Sequence, residues 1–402
     1  MADFFQGGRV ATLHRLGKPG RGRLERELRG FAAARPMALV LPCHADELET
    51  PALRAILGEL KRVPYLSEVV VGVDGADAAA WARAKRIFRE LPQPTALLWN
   101  DGPRLKGLIR RLRRADLDPG TPGKGRNLWL GFGCVLAGGR AQVVAVHDCD
   151  IRTYSRDLLA RLFYPVAHPH LGFDFCKGYS ARFTDHLNGR VMRLLFTPTV
   201  RALQSLAGPQ EFLTFLDSLR YPISGEACLN IDVVRRLRMP GDWGVETGML
   251  AGVFRICSPK GICQIDLADC YDHKHRELSP KDPRRGLNKM ACDIVRRIFH
   301  TLAGEGVKLD RGLFDALITA YAQAAEETMR FYAADAEVNG LTYDRHQEEL
   351  AVSTFAGSIR TAAQDYLKNP LGAPLLADWN RVENALPDFP GALLEAVAAD
   401  AR

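Results

Sequence analysis

The nine cysteines, at positions 43, 134, 149, 176, 228, 257, 263, 270 and 292, include no CxxC pair, and their number is odd. Both facts argue against a disulfide framework and against a zinc cage of paired cysteines, and leave reduced, mostly buried thiols. No stretch approaches the roughly 18–20 uninterrupted apolar residues of a membrane span, and no apolar N-terminal core precedes a small-residue cleavage site. The expectation is a cytoplasmic protein with no membrane segment. A GxxxxGK[ST] phosphate loop is missing, and Gly131-Phe132-Gly133 lies inside a helical pattern rather than after a strand, which excludes a dinucleotide fingerprint.

What is present begins with charge. The 402 residues are enough for one large core or two, read as a catalytic body with an appendage, and 47% hydrophobic and 25% charged residues are ordinary for a globular protein. The net charge of +7 hides an asymmetry: residues 1–300 carry 46 Lys and Arg against 31 Asp and Glu, whereas residues 301–402 carry 8 against 16. A basic body suits phosphate-bearing ligands, whether nucleic acid, nucleotides or phosphorylated metabolites. Alternatively, the two fields attract one another within a monomer or across a dimer.

Residues 1–36, with eight basic and three acidic residues and little apolar periodicity, read as a loosely ordered basic arm. From residue 37 the texture changes. Short runs at 37–41, 68–73, 95–99 and 142–146 are largely apolar, contain β-branched residues, and predict strands. Helical spacing at 51–63, 77–91 and 126–137 lies between them. Such alternation predicts parallel crossovers and an α/β, doubly wound, mostly parallel sheet flanked by helices, with ligands at the carboxyl ends of its strands. Beyond residue 150 the pattern predicts helices at 156–166, 230–237 and 244–254 and strands at 173–179 and 262–267. From about residue 288 it is helical, an expected C-terminal subdomain that packs on the body or makes a dimer.

Three of the four strands run into polar residues: the first into Pro42, Cys43, His44 and Glu47, the second into Asp74 and Gly75, the fourth into His147, Asp148, Cys149 and Asp150. In a parallel sheet the three clusters face one crevice. Asp148 and Asp150, two apart at a strand end, place one carboxylate on a divalent cation and the other on its water shell or a ribose hydroxyl, and Mg²⁺ or Mn²⁺ prefers such oxygen ligands. The same spacing also occurs in a solvated turn. His147-Asp148 resembles the dyad of metal-dependent phosphohydrolases, but those carry it on helices. Lys124, in a glycine-flanked turn before a helix, adds a charge suited to phosphate, or forms a flexible basic turn. Arg190 offers a planar fork for an anion. Residues 104–114, six of eleven basic, read as a solvated helix face or a mobile lid. Ser224-Gly225-Glu226 and the turn from Trp243 to Gly248 bring carboxylates that also suit helix caps. Histidines at 273 and 275 follow a predicted strand, where the segment reads as a charged loop or supplies one histidine to a metal site begun by Asp150.

Eight motifs in order, VLPCHADE, VVVGVDGAD, GKGRNLW, VVAVHDCD, NGRVMRLL, YPISGEAC, WGVETGML and DHKHREL, lie within a likeness that spans roughly residues 38 to 302. Together they resemble the retaining glucosyl-3-phosphoglycerate synthases and their mannosyl-3-phosphoglycerate relatives, glycosyltransferases of the GT-A type. The resemblance implies a nucleotide-sugar-binding half at 37–150, an acceptor-binding half at 151–287 and the helical subdomain at 288–402. It implies that Pro42, Cys43, His44 and Glu47 surround nucleobase and ribose, with Asp74 and Gly75 beside the base. Lys124 would contact the donor's diphosphate or ribose side, Asp148, with Cys149 beside it, would serve nucleotide and sugar, and Asp150 with His273 would hold the metal. Gly189, Arg190 and Met192 match the acceptor turn, where Met192 replaces the family's usual Thr. Trp243 stands in place of Tyr, Glu246 would bind sugar hydroxyls, and His275 replaces Asn.

The expected activity is transfer of glucose from a UDP- or GDP-linked donor to 3-phosphoglycerate with retention. No protein nucleophile is then required, and catalysis comes from positioning and charge stabilisation by the metal, Lys124 and Arg190. A mannosyl transferase or another acidic acceptor is the alternative within the fold. A nucleic-acid-binding protein is the alternative outside it, ranked low because strand-end carboxylates repel phosphate. A homodimer is expected.

Overall fold

The computed structural model describes residue 6 and residues 8–17, 21–274, 278, 286–372 and 374–402. The chain runs β1 (Ala11–Leu13), α1 (Arg21–Phe31), β2 (Met37–His44), α2 (Pro51–Leu60), β3 (Leu66–Asp74), α3 (Ala78–Phe88), β4 (Thr95–Trp99), α4 (Pro103–Arg114), α5 (Lys124–Gly138) and β5 (Val143–Val146). Local chemistry sets the boundaries. Thr50 accepts a bond from the Leu53 amide at 3.2 Å and Asp77 one from the Ala80 amide at 2.7 Å, so α2 and α3 begin at side-chain caps. The chain continues through α6 (Arg156–Ala167), β6 (Phe175–Tyr179) and a π-helical stretch (Val191–Phe196) into α7 (Thr197–Ala207), α8 (Glu211–Ser218), β7 (Ala227–Asn230), α9 (Ile231–Arg236), α10 (Val245–Ile256) and β8 (Ile262–Asp266). Five helices follow: α11 (Gly286–Gly304), α12 (Arg311–Val338), α13 (Arg345–Lys368), α14 (Trp379–Ala385) and α15 (Phe389–Ala401).

The eight strands form one sheet in the order β1-β8-β6-β7-β5-β2-β3-β4, parallel except that β7 runs against both neighbours. Strand order reverses between β2 and β5, which opens a crevice at the carboxyl ends there. Register sharpens it. His44 pairs with Asp74, whereas β5 ends at Val146 opposite Val40, so residues 147–150 leave the sheet four residues before β2 ends.

The sequence reading of residues 1–36 as a loose arm does not describe what is seen from residue 8 onward, apart from 18–20, which lie outside the described residues. β1 joins the sheet edge beside β8, with the Gln264 amide donating to Thr12 Oγ1 at 2.9 Å. α1 buries Leu24 and Leu28 and packs on α6. Three residues are too few to show strand alternation, and two leucines among arginines make a stripe only one side wide. The sequence pattern also missed α7, α8 and the four-residue β7.

Residues 104–114 are neither a lid nor simply a solvated face. α4 buries Leu105, Ile109 and Leu112, and its outer arginines meet the acidic C-terminus: Arg104 pairs with Asp400 and Arg111 with Asp388. At α4 the two charge fields therefore meet within the chain. The same C-terminal region reaches the core. Trp379 stacks on Trp129 with centroids 4.5 Å apart and donates to the Trp129 carbonyl at 3.1 Å, while Trp129 donates to the Ala377 carbonyl at 2.7 Å. Gly133 makes room for it, since a Cβ there would lie 1.9 Å from the Trp379 ring. Among the described residues no helix is long and apolar enough to cross a membrane.

Trp379→Ala removes a fully buried ring and its stack on Trp129. It should lower stability by about 3–5 kcal/mol, read as a fall in the urea midpoint of unfolding.

Candidate active site

A cavity of about 610 Å³ opens at the carboxyl ends of β2, β3 and β5. Pro42, Cys43, His44, Glu47, Asp74, Gly75, Lys124, Asp148, Cys149, Asp150, Gly189, Arg190, Trp243, Glu246 and His273 all line it. Met192 does not: in the π-helical stretch its side chain turns into the core. His275 lies outside the described residues.

Lys124 sits at the centre. It is the first residue of α5, and its ammonium lies 2.6 Å from Asp148 Oδ1 and 2.7 Å from Glu246 Oε1 in the first turn of α10. Burial disfavours the Lys124 charge, but Asp148 and then Glu246 outweigh burial and hold it protonated. Burial likewise works against Asp148, and Lys124 outweighs it, so that carboxyl lies below its usual range. The turn at 224–226 presses on Asp148 from the other side. A Cβ on Gly225 would lie 2.4 Å from Asp148 Oδ2, so glycine is what lets the turn close. That turn is held from behind by the buried Lys177 ammonium, which donates to the Ser224 carbonyl, and by Ser224 Oγ, which donates to the Gly178 carbonyl at 2.6 Å.

Asp150 is in the opposite condition. Burial, then the Asp148 charge, push its carboxyl up to about 7, and its buried Oδ1 has no hydrogen-bond partner among the described residues. A carboxylate oxygen left in that state suits a cation. His273 is placed beside it because the segment after β8 pairs antiparallel with Ile151. Among the described residues no group of three or more His, Cys, Asp or Glu forms a metal cage. A hard divalent ion at Asp150 and His273 would take its remaining ligands from water and substrate oxygens. His147 turns away from the cavity: it is fully buried beside Tyr154, ring centroids 4.9 Å apart, and burial brings it down to about 4, so it is neutral.

On the β2–β3 side, Asp74 accepts from Asn100 at 2.8 Å and from Asn127 at 3.0 Å. Burial outweighs these bonds and leaves its carboxyl raised. Asp101 Oδ2 accepts from the Gly75 amide at 2.7 Å. Glu47 and Lys274 pair at 2.8 Å, tying the end of β2 to the segment after β8. On the far side, Gly189 has φ +74° and Arg190 lies 3.4 Å from Glu348 of α13, which Arg193 also grips. Asn100 and Asp101 were not singled out from the sequence although they directly follow the third predicted strand. Arg182 and Tyr221 also line the cavity; Tyr221 opens the YPISGEAC motif but was given no role, and Arg182 lies in an irregular segment that no motif covers.

No family model matches the chain. A glucosyl-3-phosphoglycerate synthase of Persephonella marina is 41% identical over 400 residues, covering 100% of this chain and 99% of the relative. The chain belongs to the glucosyl-3-phosphoglycerate synthase family. A second synthase, from Methanococcoides burtonii, is 35% identical over 405 residues, covering 100% and 98%. Crystal structures of glucosyl-3-phosphoglycerate synthase from Mycobacterium tuberculosis share the fold. The complex with phosphoglyceric acid matches at a TM-score of 0.53, 20% identity, 76% of this chain and 90% of that one. The complex with Mn²⁺, UDP-glucose and phosphoglyceric acid matches at 0.52, 21%, 75% and 89%. The fold is therefore α/β of the GT-A type.

Lys124→Met leaves two carboxylates facing one another in the wall and should cost about 3 kcal/mol of stability. Urea unfolding checks it, and Lys124→Arg, which keeps the charge, should cost less.

Proposed function

We propose that this protein transfers glucose from UDP-glucose to 3-phosphoglycerate with retention, giving glucosyl-3-phosphoglycerate. Full-length identity of 41% to a synthase of that name carries the reading, and the Lys124–Asp148–Glu246 cluster beside Asp150 supports it. Asp74 and Gly75, with residues 42–47, are suited to hold base and ribose, and Asp148 and Glu246 present carboxylates that accept from sugar hydroxyls. Gly189 and Arg190 are suited to an anionic acceptor.

Asp150 and His273 are assigned to a Mg²⁺ or Mn²⁺ ion, which when bound neutralises charge on the leaving diphosphate. The chain's own part is positioning. Lys124 holds Asp148 and Glu246 in fixed places and contributes positive charge near the donor, while Arg190 and the Gly189 turn orient the acceptor. The family resemblance implies that no protein nucleophile is required, and the acceptor hydroxyl proton is assigned to the departing diphosphate.

We place the enzyme in the cytoplasm, where its nine free thiols suit a reducing compartment. A homodimer is supported by exposed apolar side chains on α12 and α13, Phe331, Val338 and Leu350 among them.

Nucleotide sugars assayed against 3-phosphoglycerate with Mg²⁺ or Mn²⁺ should give an α-linked product from UDP-glucose and none after chelation. Faster turnover of GDP-mannose would transfer the assignment to the mannosyl relatives. Asp150→Asn should lower kcat by about a hundredfold or more, the scale of losing a metal ligand. Light scattering should give twice the 44.5 kDa chain mass; a monomer mass would refute the dimer.

A further inference from the structure

Arg182 is a second guanidinium in the acceptor half, and its surroundings differ from those of a structural arginine. Its side chain is 9% exposed, yet it lines the cavity. Its Cζ lies 4.1 Å from the Tyr221 ring centre and 4.3 Å from that of Tyr271, so the rings hold it in place by cation–π contact and its N–H edge is left to bind. That edge is poorly served. Nη1 is 3.3 Å from His273 Nε2, Nη2 is 3.6 Å from Glu226 Oε2, beyond a good hydrogen bond, and Nε has no partner among the described residues. Glu226 is engaged elsewhere, its Oε1 accepting from the Tyr271 hydroxyl at 2.5 Å.

Arg193, eleven residues on and equally buried, shows what a satisfied guanidinium looks like in this fold. It grips Glu348 with two nitrogens and donates to the carbonyls of Asn188 at 2.9 Å and Leu187 at 3.0 Å. A buried guanidinium with five donors, whose ion pair to Glu226 is long and whose Nε is unmatched among the described residues, has donors left for a second anion. Its position says which. Tyr221, stacked on Arg182, sets its hydroxyl against Gly189, where a Cβ would lie 2.6 Å away, so Arg182 stands behind the turn that carries Arg190. Its other neighbour is His273, at the Asp150 end of the cavity, where transfer takes place.

We propose that Arg182 binds the carboxylate of the anionic acceptor while Arg190 takes its phosphate, so that the two arginines select a molecule with an acid at each end. This rests on the 3-phosphoglycerate reading above. The carboxylate is chosen because in that molecule it adjoins the carbon that bears the free hydroxyl, whereas the phosphate lies at the far end.

Calorimetry with UDP and Mg²⁺ present, comparing 3-phosphoglycerate with glycerol 3-phosphate, which lacks the carboxylate, decides it. Arg182→Gln should weaken 3-phosphoglycerate roughly tenfold or more, the loss expected for a charged hydrogen-bonded pair. Binding of glycerol 3-phosphate and of UDP itself should stay unchanged. Arg182→Lys, which keeps charge without the fork, should fall between, and the same ratio decides the matter if the Gln variant does not fold. Equal weakening of both acceptors, or a parallel loss of UDP affinity, would make Arg182 a structural pin and overturn the proposal. Wild type that binds 3-phosphoglycerate through Arg182 but transfers no glucose to it would sink the functional reading alone.

Discussion

A buried ammonium shared by two carboxylates ties together three pieces of chain that are far apart in sequence. Lys124 opens α5, Asp148 follows β5 and Glu246 lies in the first turn of α10, and the three meet within 2.7 Å contacts. None of them is stable there alone, because a charge taken from water needs a partner at short range. The contact therefore fixes the distance between the two halves of the sheet at the crevice. The Gly225 turn adds a steric limit to that electrostatic one, since any side chain there would displace Asp148. Asp150, two residues on, falls outside the cluster and keeps an unsatisfied oxygen, which is the condition a metal ligand needs.

The cavity solves a charge problem in layers. Its floor is rich in carboxylates, yet the ligands proposed for it are anionic. Lys124 offsets one of the two charges it touches, a divalent ion at Asp150 would offset the diphosphate, and the arginines lie on the acceptor side. The basic surplus of residues 1–300 is only partly a ligand field. Arg104 and Arg111 are consumed by Asp400 and Asp388, so net charge alone was a poor guide to which cations face a ligand.

Much of this was legible in the sequence because it rests on local patterns. Four apolar runs became β2, β3, β4 and β5, and the polar residues after three of them, His147 excepted, do share one cavity. Elements that missed were short or held by distant partners: β1 has three residues, β7 has four and runs antiparallel, and α1 shows only two buried leucines. Met192 was read as part of the acceptor turn and lies in the core instead, because its orientation depends on a widened helical stretch rather than on spacing. Arg182 left no trace, since its environment is made by Tyr221, Glu226, Tyr271 and His273, all at least 39 residues away in the chain.

The helical C-terminal region was expected as an appendage, and its contacts make it part of both halves of the site. On the nucleotide side, Trp379 fills the space left by Gly133 in α5, the helix whose first residue is Lys124, and Asp400 accepts from Trp81 through its carbonyl at 3.1 Å. On the acceptor side, Glu348 of α13 holds Arg193 and lies against Arg190, so the turn that presents Arg190 is braced from the tail. A sheet with its catalytic tips on two sides of a topological switch has no covalent link across the crevice near those tips. Different tail helices brace the two sides, α15 on α5 and α13 on the π-helical stretch that follows Arg190. This explains why an acidic segment outside the motif-bearing region shares a continuous hydrophobic core with the body.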